Sequence, residues 1–381
     1  MAYLSSRRLL SLFHSPHRTE PFKAIASASF FSWNSPSEPE PGSKTPVRIL
    51  ITGGTDGIGK QAVLALAQYQ NFDVTFTGRN KYKGAELVEK CEEIARGNWK
   101  PVFLKCDFSV DGDVVEFADK LAAENFDVCI FNHGVMYPKP TNTASNRDTT
   151  MMTNLVSSYM IAHRIIEGRV PPERPIRLVF TTSRTIHWRL HRWYLRLFGI
   201  FNPKNVDHWK KVCEGTNVSG ANDYVISKTG MATLAESIAM DKKIKNVKST
   251  SVHPGIVFTN LMSTLRKSRQ IRAACILHKF GTAVENAGQY LLQSEKGIEP
   301  KKSEKEEEAE AKNAKEEPST EPKIAPKENP WPEHGRYYFV YKTRKLPSFV
   351  YSEETIAAFN NAMNQMSHVI RDDVKKAKAP K

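Results

Sequence analysis

The amino-acid sequence predicts an α/β fold: a single doubly wound parallel sheet with helices on both faces. Two observations carry this. From Val47 onward, short runs rich in β-branched and aromatic residues alternate with segments of helical periodicity, and such alternation builds a parallel sheet covered on both sides. The first run, Val47-Arg48-Ile49-Leu50-Ile51, also opens directly into a glycine loop that leads into a helix, Thr52-Gly53-Gly54-Thr55-Asp56-Gly57-Ile58-Gly59.

The elements follow in order. Lys60 to Gln70 continues the loop as a helix, and Phe72 to Thr77 is a second strand. Helical patterns at Lys81–Arg96, Val114–Glu124 and Thr149–Gly168 separate strands at Pro101–Leu104, Phe126–Phe131 and Ile176–Phe180. A helix bearing Tyr224 and a strand at Lys248–Val252 come next. Residues 294–330 break the pattern: Glu, Lys, Pro and Ala dominate, with little to bury, which predicts a disordered charged insertion. Order resumes at Arg336–Tyr341, followed by an amphipathic helix from Glu353 to Arg371. One domain is thus expected over 46–293 and completed by 331–371, with 372–381 a basic tail.

Composition narrows the class. Of 381 residues 40% are apolar, enough for a core, and no stretch approaches the ~18 uninterrupted apolar residues of a spanning helix. Cys91, Cys106, Cys129, Cys213 and Cys275 are odd in number and scattered, which argues against a disulfide framework or a zinc site and fits a reducing compartment. The net charge of +14 comes with no nucleic-acid-binding motif, so no specific nucleic-acid partner is expected; the charge suits a phosphorylated ligand and solubility. Residues 1–45 differ from the rest. Arg7, Arg8, Arg18 and Lys23, many serines and an apolar stripe through Leu4, Leu9, Leu10, Leu12 and Phe13 have the composition of a mitochondrial presequence. A tail without an address, on a protein of the endoplasmic reticulum surface or cytoplasm, is the alternative.

The glycine loop has the context of a dinucleotide site. Gly53 permits the tight turn, Gly57 lets a pyrophosphate approach the backbone, and Gly59 lets the helix pack close, while the helix N-terminus supplies free amides. Arg79 follows the second strand, where an acidic residue would bind ribose hydroxyls and an arginine would grip a 2′-phosphate, which favours NADP(H) over NAD(H). Asp56 opposes this, and Lys60, Lys81 and Lys83 are placed to compensate. Further on, Tyr224 and Lys228 lie one helical turn apart, so both project from one face. A phenol near pKa ~10 needs a fixed cation beside it to serve as an acid/base at neutral pH.

These motifs together resemble the short-chain dehydrogenase/reductase family, over about residues 47–292. The loop is similar to that family's Thr-Gly-x-x-x-Gly-x-Gly, with Thr55 and Ile58 at cofactor-contacting positions. Asp107 resembles its adenine-contacting acid, and Asn132-His133-Gly134 resembles its Asn-Ala-Gly, with His133 replacing the alanine. Asn154 falls on the position of the catalytic asparagine, Ser183 on that of the catalytic serine, and Tyr224-x-x-x-Lys228 completes the set. His253-Pro254-Gly255 with Thr259 resembles the segment that embraces the nicotinamide.

The resemblance implies a Rossmann-type sheet and hydride transfer between a nicotinamide and a carbonyl carbon. It assigns Tyr224 as proton donor or base, Ser183 as the group that polarises the oxygen, and Lys228 as the phenol's helper and the holder of the nicotinamide ribose. Asn154 would hold a water linking Lys228 to solvent. His133, His187 and His253 have no metal-ligand spacing and read as structural. Gly134-Val135-Met136, His187 and His253-Pro254-Gly255 look most like retinol-dehydrogenase-type members, whereas Thr55 to Lys60 looks like hydroxysteroid and 3-ketoacyl reductases.

Between Ser183 and Tyr224 lies a long connection that would sit over the mouth of the site. In 187–201, Leu190, Trp193, Tyr194, Leu197 and Phe201 share a helical face, with Arg189, Arg192 and Arg196 largely elsewhere. That pattern fits peripheral membrane contact, or equally a helix packed on its own domain or on a second subunit. Either way it favours a lipophilic alcohol or carbonyl of steroid, retinoid or fatty-acyl type, and a homo-oligomer is expected by analogy. A cofactor-binding sensor or scaffold with its catalytic power lost is the alternative function.

Overall fold

The computed structural model of the chain describes residues 46–67, 72–95, 99–169, 175–187, 195–197, 199–215, 219–254, 257, 337–339, 342–344 and 346–379. The presequence reading of 1–45, the insertion at 294–330, Gly255, Thr259 and residues 188–194 of the aromatic connection lie outside them.

Eight strands form one sheet in the order β3-β2-β1-β4-β5-β6-β7-β8. They are β1 (Val47–Thr52), β2 (Phe72–Gly78), β3 (Val102–Lys105), β4 (Val128–Phe131), β5 (Ile176–Thr181), β6 (Val247–His253), β7 (Tyr337–Phe339) and β8 (Lys342–Arg344). The pairings from β3 through β7 are parallel, as the alternation predicts. The sheet is not parallel throughout, however: β8 returns antiparallel to β7 across a short connection. Only an antiparallel neighbour can be reached by so tight a turn, because a parallel one needs a crossover. Strand β7 is therefore the first arm of a hairpin with β8.

The helices are α1 (Gly57–Leu66), α2 (Lys81–Ile94), α3 (Asp111–Ala122), α4 (Thr149–Met151), α5 (Ser157–Gly168), α6 (Val206–Cys213), α7 (Gly220–Met240), α8 (Ser348–Tyr351) and α9 (Glu353–Lys378). Strand order runs outward from β1 to β3 and then reverses at β4. Right-handed crossovers therefore place α1 and α2 on one face, and α3, α5 and α7 on the other. The reversal leaves a crevice beyond the carboxyl ends of β1 and β4, the position where such sheets bind ligands.

Two helices differ from the sequence expectation. The segment expected as one helix from Thr149 to Gly168 contains a π-turn at Met152–Val156. The last helix runs to Lys378, past the expected end at Arg371. Asp372 to Lys378 are mostly good helix formers, with lysines in the last turn favourable to the dipole, and the helix stops at Ala379, just before Pro380. Helix α9 lies over the α3, α5 and α7 layer. Phe359 is fully buried and meets Trp209 edge-on at 5.1 Å and Tyr159 at 6.0 Å, while Tyr159 donates to Asn364 Oδ1 at 2.7 Å. Arg371 pairs with Asp119 at 3.0 Å and Arg147 with Asp373 at 2.7 Å, so charges rim this apolar seam.

Candidate active site

Strand register sets the site. Thr52 pairs with Phe131, Phe131 with Phe180, Thr181 with Val252, and His253 with Phe339. The strand ends are thus level, and the residues just beyond them, Gly53, Asn132, Ser183 and Pro254, fall along one edge of the sheet.

The glycine loop has the backbone that its sequence requires. Gly53 and Gly57 adopt φ +67° and +53°, a region that side chains rarely tolerate. A Cβ on Gly53 would lie 2.7 Å from the Cα of His133, and one on Gly59 would lie 2.3 Å from Gly53 O. The turn is pinned by Gly54 N donating to Thr77 O at 2.8 Å and Gly53 N to Thr77 Oγ1 at 3.2 Å. Asp56 caps α1 by accepting from Gly57 N at 2.8 Å, and no acidic residue follows in the first turn. Thr55 sits against Gly78, and Ile58 is half-buried in the first turn of α1.

Arg79, at the end of β2, is exposed and makes no ion pair among the described residues. Asp56, the one acid of the loop, is paired with Lys83 at 2.7 Å, so its charge is offset locally. The glycine cradle, the α1 N-terminus and the available Arg79 fit a phosphorylated dinucleotide. Asp107 is half-buried, with one carboxylate oxygen taken by Ser109 N at 3.0 Å and Ser109 Oγ at 2.7 Å. Asn132 holds the loop itself, donating to Gly53 O at 3.2 Å and Thr52 O at 3.4 Å. A cavity of about 380 Å³ opens beside the Asp107 turn, lined by Ser109, Asp111, Tyr137 and Thr141 among others. It includes none of the reacting residues.

The catalytic candidates come together on α7 and the ends of β4 and β5. Tyr224 is half-buried, and Ser183 is the side chain whose hydroxyl acts on its phenol. Burial pushes the phenol up to about 12, and the Ser183 hydroxyl only partly opposes it. In the chain alone, desolvation outweighs the Ser183 hydroxyl. Lys228 is buried and donates from Nζ to Thr181 O at 2.9 Å, with Nζ 5.9 Å from the Tyr224 ring centroid. Its own burial brings the ammonium down to about 8. Tyr224 is thus held as a neutral proton donor beside a lysine whose charge is costly where it lies.

Asn154 sits in the π-turn and is fully buried. Its Oδ1 accepts from Val135 N at 2.7 Å, and its Nδ2 donates to Val135 O at 3.0 Å and to Ser227 Oγ at 3.0 Å. The side chain therefore staples the β4 turn to α7. Val135, Ser227 and the Thr181 carbonyl are participants that the motif reading missed. Two of them act through main-chain atoms, which leave no residue-type signal. Pro254 is buried after β6, and His253 is buried with its ring brought down to about 3, first by burial and then by Arg184 and His187.

Comparison with known proteins agrees with this geometry. A profile of the short chain dehydrogenase family matches residues 47–186. A short-chain dehydrogenase of Penicillium rubens is 26% identical over 56% of this chain and 72% of its own. A 3-oxoacyl-[acyl-carrier-protein] reductase of Aggregatibacter actinomycetemcomitans is 25% identical over 56% of this chain and 77% of its own. A protein of Streptomyces sp. (strain C5), named as a daunorubicin C-13 ketoreductase, is 30% identical over 56% of this chain and 67% of its own.

The chain belongs to the short-chain dehydrogenase/reductase family.

Solved structures show the same fold. A short-chain dehydrogenase of Sphingobium yanoikuyae in complex with NADPH superposes with a TM-score of 0.50 at 13% identity, over 73% of this chain and 99% of that one. An uncharacterised protein of Mycobacterium paratuberculosis superposes with a TM-score of 0.54 at 16% identity, over 85% and 96%. Membership makes the protein an oxidoreductase of the class that uses a nicotinamide cofactor, and this short-chain dehydrogenase/reductase carries the residues for it on the sheet edge described above.

Proposed function

We propose that the protein is an NADP(H)-dependent oxidoreductase that interconverts a lipophilic alcohol and its carbonyl, of steroid, retinoid or fatty-acyl type, with Tyr224 as the acid/base. The observation that carries this is the Ser183–Tyr224 hydroxyl pair standing beside buried Lys228 at the sheet edge that also bears the glycine loop. Two hydroxyls that face each other across the site can both donate to one carbonyl oxygen placed between them.

A bound nicotinamide dinucleotide would supply the hydride in one direction and accept it in the other. Gly53, Thr55, Gly57, Ile58 and Gly59 would hold its phosphates, with Asp107 at the adenine end and Tyr224, Lys228 and Pro254 near the ring. In reduction the Tyr224 O–H bond breaks and its proton passes to the substrate oxygen, whose developing charge Ser183 shares. Lys228 then faces a phenolate and neutralises it, which repays the burial of its ammonium. In oxidation Tyr224 takes the proton back.

Arg79 supports NADP(H), since an exposed guanidinium with no ion-pair partner among the described residues offers a charge-assisted grip on a 2′-phosphate. The relatives named as 3-oxoacyl and daunorubicin reductases support a carbonyl substrate. Retinoid-type substrates follow from Gly134-Val135-Met136 and His187, and mitochondrial residence from the composition of 1–45. The test is NADPH consumption by the purified protein across a panel of lipophilic ketones and aldehydes, run beside cofactor binding followed by fluorescence. Turnover of at least one long-chain or polycyclic carbonyl is expected. Tight NADPH binding with no turnover on any of them would overturn the assignment.

A further inference from the structure

His133 occupies the place where the family motif has an alanine, and its ring is built into the site. The residue is 4% exposed. Nδ1 lies 2.7 Å from Thr52 Oγ1 at the end of β1, and Nε2 lies 3.0 Å from Ser157 Oγ and 3.3 Å from Ser158 Oγ, both on α5. The ring stacks on Phe108 at 3.9 Å and 23°, one residue from Asp107. Burial, then the charge of Lys228, keeps the imidazole neutral, so it offers one donor and one acceptor to a set of hydroxyls that can serve as either.

The backbone that this ring anchors reaches both halves of the reaction. The Cα of His133 is what a side chain on Gly53 would strike. A Cβ on Gly134 would lie 3.2 Å from Asn154 Oδ1 and 3.5 Å from Lys228 Nζ, and Val135 is held by Asn154 at both its N–H and its C=O. We infer that His133 is a positioning residue: through Thr52, Ser157 and Ser158 it fixes the Gly134-Val135 turn between the cofactor loop and Lys228, and so couples the cofactor seat to the acid/base pair. Its effect on the cofactor rests on the NADP(H) reading above.

The hydroxyl partners make a clean test available. Each hydroxyl also has a carbonyl within reach, Ile130 O for Thr52 Oγ1, Thr153 O for Ser157 Oγ and Asn154 O for Ser158 Oγ, so each can turn to it when the imidazole is lost. His133→Phe keeps an aromatic ring to stack on Phe108 and deletes the polar contacts, in a ring one atom larger. His133→Gln restores one donor and one acceptor, and Ser157→Ala removes a single partner from an intact ring, which serves if the Phe variant does not fold.

The first measurement is amide hydrogen exchange at Gly134 and Val135 in the protein without cofactor. The second is the NADPH dissociation constant. Exchange faster by about tenfold or more, and a dissociation constant raised at least several-fold, are expected in His133→Phe. Smaller changes of the same sign are expected in Ser157→Ala, with recovery in His133→Gln. Unchanged exchange at these two amides in both His133→Phe and Ser157→Ala, even with a lower melting temperature, reduces His133 to core packing and overturns the inference. If the wild-type protein fails to bind NADPH, the function proposed above falls, while exchange still decides the role of His133.

Discussion

Tyr224→Phe removes one oxygen and keeps the ring beside which Lys228 Nζ sits, 5.9 Å from the centroid. The proton that this hydroxyl moves has no other evident source at the Ser183 end of the site. A fall in kcat of about 10²–10⁴-fold is therefore expected, the span that a positioned acid contributes. The glycine loop is untouched, so NADPH affinity measured by fluorescence should stay near the wild-type value; a variant with normal turnover would sink the acid/base role. Arg79 makes a separate prediction at the same scale. Its guanidinium is exposed and without a partner among the described residues. A charged hydrogen bond to a 2′-phosphate is worth about 1.5–3 kcal/mol, so Arg79→Ala should raise the KM for NADPH by roughly 10–100-fold. The KM for NADH should not change, and a parallel loss for both cofactors would remove Arg79 from the recognition of that phosphate.

Among the elements, those built from local pattern could be read directly, and those that depend on distant partners could not. Strands β1, β4 and β5 announce themselves because each is a short, largely apolar run that fits a strand buried on both faces, and α7 because Tyr224 and Lys228 share its face. The π-turn at Met152–Val156 has no such signature. Met151-Met152-Thr153-Asn154 reads as ordinary helix, and the extra residue in the turn is fixed only when Asn154 bonds Val135 and Ser227. The Ser183 and Tyr224 hydroxyls and the Lys228 amine were legible by motif. Asn154's tie to the main chain of Val135 was not, because a backbone partner has no letter. Helix α9 was visible by its periodicity, but what it covers was not. Phe359 is fully buried against Trp209 and Tyr159, residues from two other helices. Phe359→Ala should cost about 3–5 kcal/mol, seen as a lower urea midpoint at an unchanged slope. A loss below about 1 kcal/mol, the size of an ordinary surface change, would mean that α9 contributes little to holding this layer.

At the scale of the whole molecule, stability should depend on pH through a pair of acids that the mechanism does not use. Asp223 precedes the catalytic tyrosine on α7, and Asp148 caps α4 by accepting from Met151 N at 2.7 Å. Both are buried, at 3% and 1% exposure, and each has an Oδ2 with no hydrogen-bond partner among the described residues. Burial, then the charge of Asp148, lifts Asp223 up to about 7, and burial lifts Asp148 up to about 6 against the pull of its backbone amides. The unfolded chain releases the Asp223 proton near pH ~3.9. Between that value and 7 the folded state binds a proton that the unfolded state does not, so folding is favoured as pH falls and disfavoured as it rises. Below both values the difference vanishes, and above about 7 the penalty is complete. Asp223→Asn cannot ionise and escapes this penalty, a gain on the order of 2 kcal/mol at pH ~8, or roughly 5 °C in melting temperature. The gain should shrink steadily through neutrality and be close to nothing near pH ~4, where the wild-type carboxyl is already protonated in the fold. Melting curves of the two proteins taken across that range decide the matter: an offset that does not change with pH would show that the Asp223 carboxyl is not the group that titrates.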